Sequence, residues 1–541
     1  MEKTFDFVVV GAGSAGCVLA ERLSADGRYT VAVIEAGGSD RRFHVQMPLG
    51  YGRTFYDRAI NWNYAAEPDP GLDGRADFWP RGKLLGGSSS INAMVWIRGA
   101  PRDFDGWAAE GNPGWAYADV LPFFKALEHN QAGEDPWRGT GGRLHVSDVS
   151  AGLHPLVQRF IAAGRQAGFA FNADFNGPSQ EGVGLYQITT KDGWRMSAAK
   201  AFLRPALRRP NIALLTKAHA TRVLLEGRCA TGVEIMRGGA REIVRARREV
   251  ILAAGAINSP MLLQLSGIGS AEHLAAIGVP VKLDSPAVGR HLQDHLGINY
   301  TYRARVATLN QILRPWWGKL IVGGKFLLVG RGPLALSLNQ GGGFVRSRPD
   351  RTEPNIQLYF QTISTMASRA GTRQLLRPDP FPGFSIGLST CRPTTRGSIL
   401  ARSCDPLDAP RIRPNAYGTA EDVADMLEGV KLLRRLAAQP ALADIIDAEL
   451  APGPAASSDG DLEADFRRRS GTVYHPCGTV RMGPEIGSAA VDARLKVHGI
   501  EALRVIDASV FPRIISGNTN APTMMVAARG AALVLDDAKA G

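Results

Sequence analysis

Cysteine is scarce and poorly arranged for any framework. Five occur in 541 residues, at positions 17, 229, 391, 404 and 477, an odd number with no CxxC pair. That spacing suits neither a disulfide scaffold nor a structural zinc site, so no metal is expected and a reducing compartment is. Long apolar runs are missing as well. The most apolar stretch, WWGKLIVGGKFLLVG (316–330), is interrupted by Lys319, Lys325 and several glycines. It falls short of the ~18 apolar residues of a bilayer-spanning helix, so no transmembrane segment is expected. There is no repeat of fixed period and no low-complexity block. Clustered charge is absent too: the net charge is +12, but Arg and Lys are scattered and no basic run carries interleaved aromatics. Nucleic-acid binding is therefore not expected. A basic surface leaves room for peripheral contact with anionic membranes or acidic partners. The opening MEKTFDFVVVGAG enters a strand pattern at once, which is not the layout of a signal peptide, and a cytoplasmic location is the expectation.

Glycine, by contrast, is well placed. The run FDFVVVGAGSAGCVLAERLS reads as a strand over 5–10, a glycine turn and a helix from about residue 14. Gly11, Gly13 and Gly16 fit G-x-G-x-x-G: the first permits a tight turn, the second lets backbone approach a pyrophosphate, the third allows close helix–strand contact. Ser14 and Ala15 open the helix, whose N-terminus offers free N–H groups to a diphosphate. A second strand, YTVAVIEAG, ends in Glu35 and Ala36; a carboxylate there can accept from ribose hydroxyls. Strand, turn, helix, strand and acid in that order predict a dinucleotide site. The pattern alone does not choose between NAD and FAD.

Further glycine-rich backbone is present. RGKLLGGSSSINAMVWIRG (81–99) has paired glycines and three serines, and its small residues permit main chain to approach a ligand closely. EVILAAGAINSPMLLQLSGIG (249–269) repeats the strand-and-turn logic with Gly255, and LRVIDASVFPRIISGNTNAPTMMVAARGAALVL (503–535) sets Asp507 at a strand end before a polar turn and a helix. Near the C-terminus, YHPCGTVRMG places His475 and Cys477 two residues apart. Metal ligand, cysteine nucleophile or proton acceptor are all open from that string alone.

Taken together, GAGSAG, RGKLLGGSSSIN, GAINSPMLLQLSGIG, AVGRHLQDH (287–295), YHPCGTVRMG and SGNTNAP resemble the glucose–methanol–choline (GMC) oxidoreductases, in the family's order and from end to end. The chain is most similar to the bacterial choline-dehydrogenase-like and FAD-dependent alcohol-dehydrogenase-like members. The resemblance implies an α/β chain (α+β overall). A Rossmann-like FAD-binding domain would be assembled from 1–150, 195–300 and 470–541. A substrate domain on an antiparallel sheet would come from 151–194 and 301–469, with PNIQLYFQTIS (354–364) and RGSILARSCDPLDAPRIRPNAY (396–417) supplying alternating strands. A helix is expected near 420–438.

The same resemblance implies FAD contacts at Gly11, Gly13, Ser14, Ala15, Gly16, Glu35, Ala36, Arg81, Gly86, Gly87, Ser88, Asn92, Ala93, Met94, Val95, Val223, Gly255, Asp507, Ala508 and Thr519. Val223 would hold the adenine edge through its backbone. Some choline oxidases attach FAD through a histidine where this chain has Ile91, so non-covalent FAD is expected. Ala93 stands where those enzymes carry a serine, and Val473 resembles a small apolar residue near the reduced ring; neither decides between oxidase and dehydrogenase. The implied activity is oxidation of a primary alcohol. His475 takes the hydroxyl proton, Asn518 supports the alkoxide by N–H donation, and the α-hydride passes to flavin N5. Electrons then leave to a quinone-type acceptor, a dye or O2. Cys477 reads as a small buried residue beside the base. The alternative is a non-redox flavoenzyme of hydroxynitrile-lyase or photodecarboxylase type, for which Cys391 in LSTCRPTTRGS would matter. Choline would require a carboxylate and an aromatic cage; aromatic, aliphatic and polyol alcohols are also compatible.

Overall fold

From Phe7 to Val10 the first strand is apolar on both faces and at most 3% exposed. Such a continuous run belongs to a parallel strand covered on both sides. A computed structural model describes residues 3–366 and 377–540. In it, strand Lys3–Val10 pairs in parallel with Val31–Glu35 on one side and with Ala240–Leu252 on the other. Ile212–Thr216 extends the sheet beyond Val31–Glu35. The 13-residue strand Ala240–Leu252 serves two further partners: its first half pairs antiparallel with Cys229–Arg237, and its end pairs in parallel with Leu503–Val505. Helix Ser14–Leu23 packs against helix Asn520–Ala540, so the two ends of the chain share one core.

The second sheet runs in the order 446–451, 296–304, 383–390, 356–361, 339–345, 182–185, with 171–172 at its edge. It is antiparallel except at that edge. Helix Ala420–Ala437 begins at Thr419, whose side chain accepts from the Asp422 N–H. It buries Met426, Val430, Leu433 and Leu436, a helical stripe laid against the sheet. Strand Leu296–Ala304 belongs wholly to this sheet and crosses the division placed at residue 300.

One segment departs from expectation. Among the described residues, Ser398–Leu400 and Arg411–Arg413 pair only with each other, as a separate two-stranded ladder. Gln264, on helix Gly255–Leu265, donates to the Ile399 carbonyl at 3.1 Å and accepts from the Ala401 N–H at 2.7 Å. This hairpin is thus fastened to the dinucleotide side. Alternation fixes which face of a strand is apolar, not which strand it joins.

The apolar stretch at 316–330 forms helix Trp316–Val329, closed by Gly330 in the left-handed region (φ 64°). It buries one narrow stripe: Gly318, Val322 and Phe326. Among the described residues, no helix is long and apolar enough to cross a membrane.

Candidate active site

Between the two sheets lies a cavity of about 560 Å³. One end is built by the glycine turn. Gly11 has φ +105°, and a Cβ there would meet the Ala253 carbonyl oxygen at 2.5 Å. A Cβ on Gly16 would sit 1.8 Å from the Gly11 carbonyl oxygen, so the helix can approach the turn only without a side chain. Gly13 is different: a Cβ there meets nothing within 4 Å, and the residue faces the cavity. The second glycine stretch lies directly against this turn, with the Gly86 N–H bonded to the Ala12 carbonyl at 2.7 Å. Gly87 is so close that an added Cβ would come 2.8 Å from the Gly13 Cα.

Glu35 closes this end. Its carboxylate accepts from the Ala12 N–H (2.9 Å) and the Gly37 N–H (2.7 Å), and burial pushes it up to about 7. Asp507 accepts from the Gly255 N–H (2.8 Å), the Ser259 hydroxyl (2.6 Å) and the Ser509 N–H (2.8 Å), tying two strand-end turns together. Of the predicted cofactor residues, Ser14, Ala15, Ala36, Arg81, Ser88, Asn92, Ala93, Met94, Val95, Gly255, Ala508 and Thr519 also line the cavity. Gly16 and Gly86 lie behind the wall. Val223 does too: its N–H is bonded to Ser266 Oγ at 2.8 Å, while Ala218, His219 and Ala220 of the same strand face inward. Free space at Gly13, stacked glycine backbone and a strand-end carboxylate together fit the diphosphate and ribose of a dinucleotide.

At the other end, His475 and Asn518 meet although 43 residues separate them: Asn518 Nδ2 is 3.0 Å from His475 Nε2. The Asn518 amide oxygen accepts from Gln357 Nε2 at 3.2 Å, which orients its NH2 toward the imidazole. Sequence reasoning did not assign His295. Its Nδ1 lies 3.0 Å from His475 Nδ1, and its Nε2 lies 3.0 Å from the Cys391 carbonyl oxygen. Burial lowers His295 to about 4, so it is neutral at pH 7. A carbonyl oxygen only accepts, so His295 Nε2 carries the hydrogen and its Nδ1 is the acceptor. His475 Nδ1 then donates, and the lone pair of His475 is left on Nε2, the nitrogen shared with Asn518. Burial, followed by the neighbouring His295 and Arg81, holds His475 well below the usual imidazole value. The His475 backbone N–H is pinned to Asp294 Oδ1 at 2.7 Å, and Arg81 reaches the Tyr474 carbonyl at 2.7 Å. The only hint of His295 was its place in AVGRHLQDH.

Near this end the wall carries Tyr51, Phe55, Asn339, Tyr359, Gln361 and Leu388. The carboxylates on the described wall are Glu35, Asp408 and Asp507; none comes from these strands and loops around His475. Cys477 is fully buried, and burial pushes its thiol far up. Cys391 is also buried, pushed up to about 12, and does not reach the cavity. No cluster of His, Cys, Asp and Glu among the described residues could hold a metal ion.

Family models described as GMC oxidoreductase match residues 5–297 and 393–527. An alcohol dehydrogenase [acceptor] from Pseudomonas putida is 42% identical over 535 residues, covering 98% of this chain and 96% of the relative. An oxygen-dependent choline dehydrogenase from Rhizobium rhizogenes is 42% identical over 531 residues, covering 98% and 95%. Among solved structures, pyridoxine 4-oxidase from Mesorbium loti superposes with a TM-score of 0.87 at 30% identity, covering 97% of this chain and 98% of that one. A formate oxidase variant from Aspergillus oryzae RIB40 gives 0.92 at 25% identity, covering 99% of each. The chain belongs to the GMC oxidoreductase family.

Proposed function

We propose that the protein oxidises a neutral primary alcohol to an aldehyde, with FAD as cofactor and His475 as the base. The observation that carries the reading is the relay His295–His475–Asn518, which supports a neutral imidazole with its lone pair on the cavity side. His475 Nε2 takes the hydroxyl proton, and the Asn518 N–H group donates to the same oxygen as it gains charge. FAD, when bound, supplies the acceptor for the α-hydride. Gly11, Gly13, Ser14 and Ala15 would hold its diphosphate, Glu35 and Ala36 its adenosine, and Gly87, Ser88 and Asn92 to Val95 the flavin end. Gly255, Asp507, Ala508 and Thr519 would complete the floor. Ile91 supplies no nucleophile, and FAD is held non-covalently. The parallel-sheet unit serves the cofactor and the antiparallel sheet the substrate.

Electrons leave to a quinone-type acceptor or O2, and the protein works in the cytoplasm, with contact at membrane surfaces. A quaternary ammonium needs a carboxylate near its charge. The wall around His475 offers Tyr51, Phe55, Tyr359 and amides instead, which favours uncharged alcohols over choline. The non-redox alternative is not favoured, since the Cys391 thiol is buried away from the cavity.

The test is anaerobic mixing of the flavin-loaded protein with benzyl alcohol, 1-octanol, a polyol and choline. Bleaching of the flavin band by neutral alcohols, with choline at least about tenfold slower, is the expected result. Choline as the fastest substrate would overturn the neutral-pocket reading; no bleaching by any alcohol would overturn the oxidoreductase reading. The rate of colour return in air then separates oxidase from dehydrogenase.

A further inference from the structure

Helix Trp316–Val329 carries its apolar residues on the wrong side for a core. Trp316 is 74% exposed, Leu320 and Ile321 64% each, and Leu328 86%. At 100° per residue, Trp316, Trp317, Leu320, Ile321, Leu327 and Leu328 occupy one continuous outward arc of roughly 140°. Gly318, Val322 and Phe326 occupy the opposite, buried arc. Lys319 and Lys325 fall one on each flank of the apolar arc, where long cationic stems lie along an apolar surface with their heads in water.

The charge flanking the helix along the chain is of one sign, and in space exposed Asp192, with Lys191 beside it, lies against Gly330 at the C-terminal end. From residue 295 to residue 349 the sequence has no Asp or Glu. Arg314, Lys319, Lys325 and Arg331 are exposed, and none of them is in an ion pair among the described residues. The arrangement does not suit a second copy of the chain, because a two-fold contact would set these cations against their own images. It does suit an anionic bilayer: apolar side chains enter the acyl boundary and the flanking cations meet phosphate headgroups.

We propose that Trp316–Val329 is a membrane-docking helix that lies in the plane of an anionic lipid surface. The helix also backs onto the site. Phe326 packs on Trp194, with ring centroids 4.6 Å apart, and Val322 shares a cluster with Tyr51 and Phe55, both on the cavity wall. The inner face of the helix thus shares an apolar cluster with two residues of the cavity wall. Resting on the proposed alcohol oxidation, this placement brings an apolar alcohol or a lipid-soluble acceptor to the enzyme from the bilayer.

Flotation of the flavin-loaded protein with vesicles tests the docking helix without any substrate, so a failure of the alcohol reading leaves this readout intact. The expected result is binding to phosphatidylcholine vesicles containing phosphatidylglycerol, weaker on phosphatidylcholine alone and at high salt. Leu320→Gln with Leu328→Gln should lower the bound fraction roughly tenfold or more. Neither side chain lines the cavity, and the flavin spectrum and dye-coupled activity should persist. Lys319→Gln with Lys325→Gln should lower binding to the anionic vesicles alone. The proposal is overturned if the wild type stays with the unbound fraction, if the leucine variant binds unchanged, or if the protein is a dimer that the leucine variant splits.

Discussion

In the proposed reaction His475 is the base, and its neighbours deny it a proton at rest. An ordinary imidazole titrates near 6.5; burial, His295 and Arg81 all disfavour the charged ring here. The neutral base is thus fully present at pH 7 and above. As pH falls, its protonation limb on kcat/KM should appear only below 6.5; a limb at or above 7 assigned to this residue would contradict the neutral site. Replacing His475 by Ala should cost about 10²–10⁴ in kcat with the flavin spectrum retained, whereas a purely structural histidine would lower flavin content instead. That His475 and Asn518 meet was legible because each sits in a distinctive local string. The contact of His295 was not, since it spans 180 residues and nothing in RHLQDH says whether His291 or His295 turns inward.

The strand–turn–helix at the start of the chain separates two kinds of glycine. Gly16 must lack a side chain for the element to fold, whereas Gly13 has open space where a Cβ would stand and backbone at φ −80° that any residue adopts. Gly13→Ala should therefore leave the thermal stability of the apoprotein within about 0.5 kcal/mol while lowering FAD affinity. Loss of apoprotein stability with unchanged FAD binding would reverse that assignment. Elements like this were readable because strand, turn and helix each carry their own period. The expected helix near 420–438 appears as Ala420–Ala437 for the same reason. The hairpin at 398–413 was misjoined because its partner is set by Gln264, which no alternation pattern encodes. The outward apolar arc of Trp316–Val329 was hidden too: composition gives the apolar content of a helix, and only packing says which side is covered.

Across the whole molecule the cavity draws its wall from both sheets, from Gly11 and Glu35 at one end to Tyr359 and Leu388 at the other. A ligand bound there is linked to the folding of both units. FAD added to apoprotein should raise Tm with concentration, by about 2.7 kcal/mol of stabilisation at a hundredfold excess over Kd. Acid precipitation should then release the flavin to the supernatant; flavin retained in the pellet would mean a covalent bond.

The shared core of the chain ends also sets a schedule for synthesis. Strand Leu503–Val505 completes the parallel sheet, and helix Asn520–Ala540 covers helix Ser14–Leu23. At about 5–20 residues per second the ribosome delivers those pieces roughly half a minute to two minutes after the first strand emerges. Until then helix Ser14–Leu23 lacks that packing partner. Apolar surface left open over that interval is what chaperones recognise. A product truncated by a single helix would expose the glycine-turn helix and aggregate rather than bind cofactor.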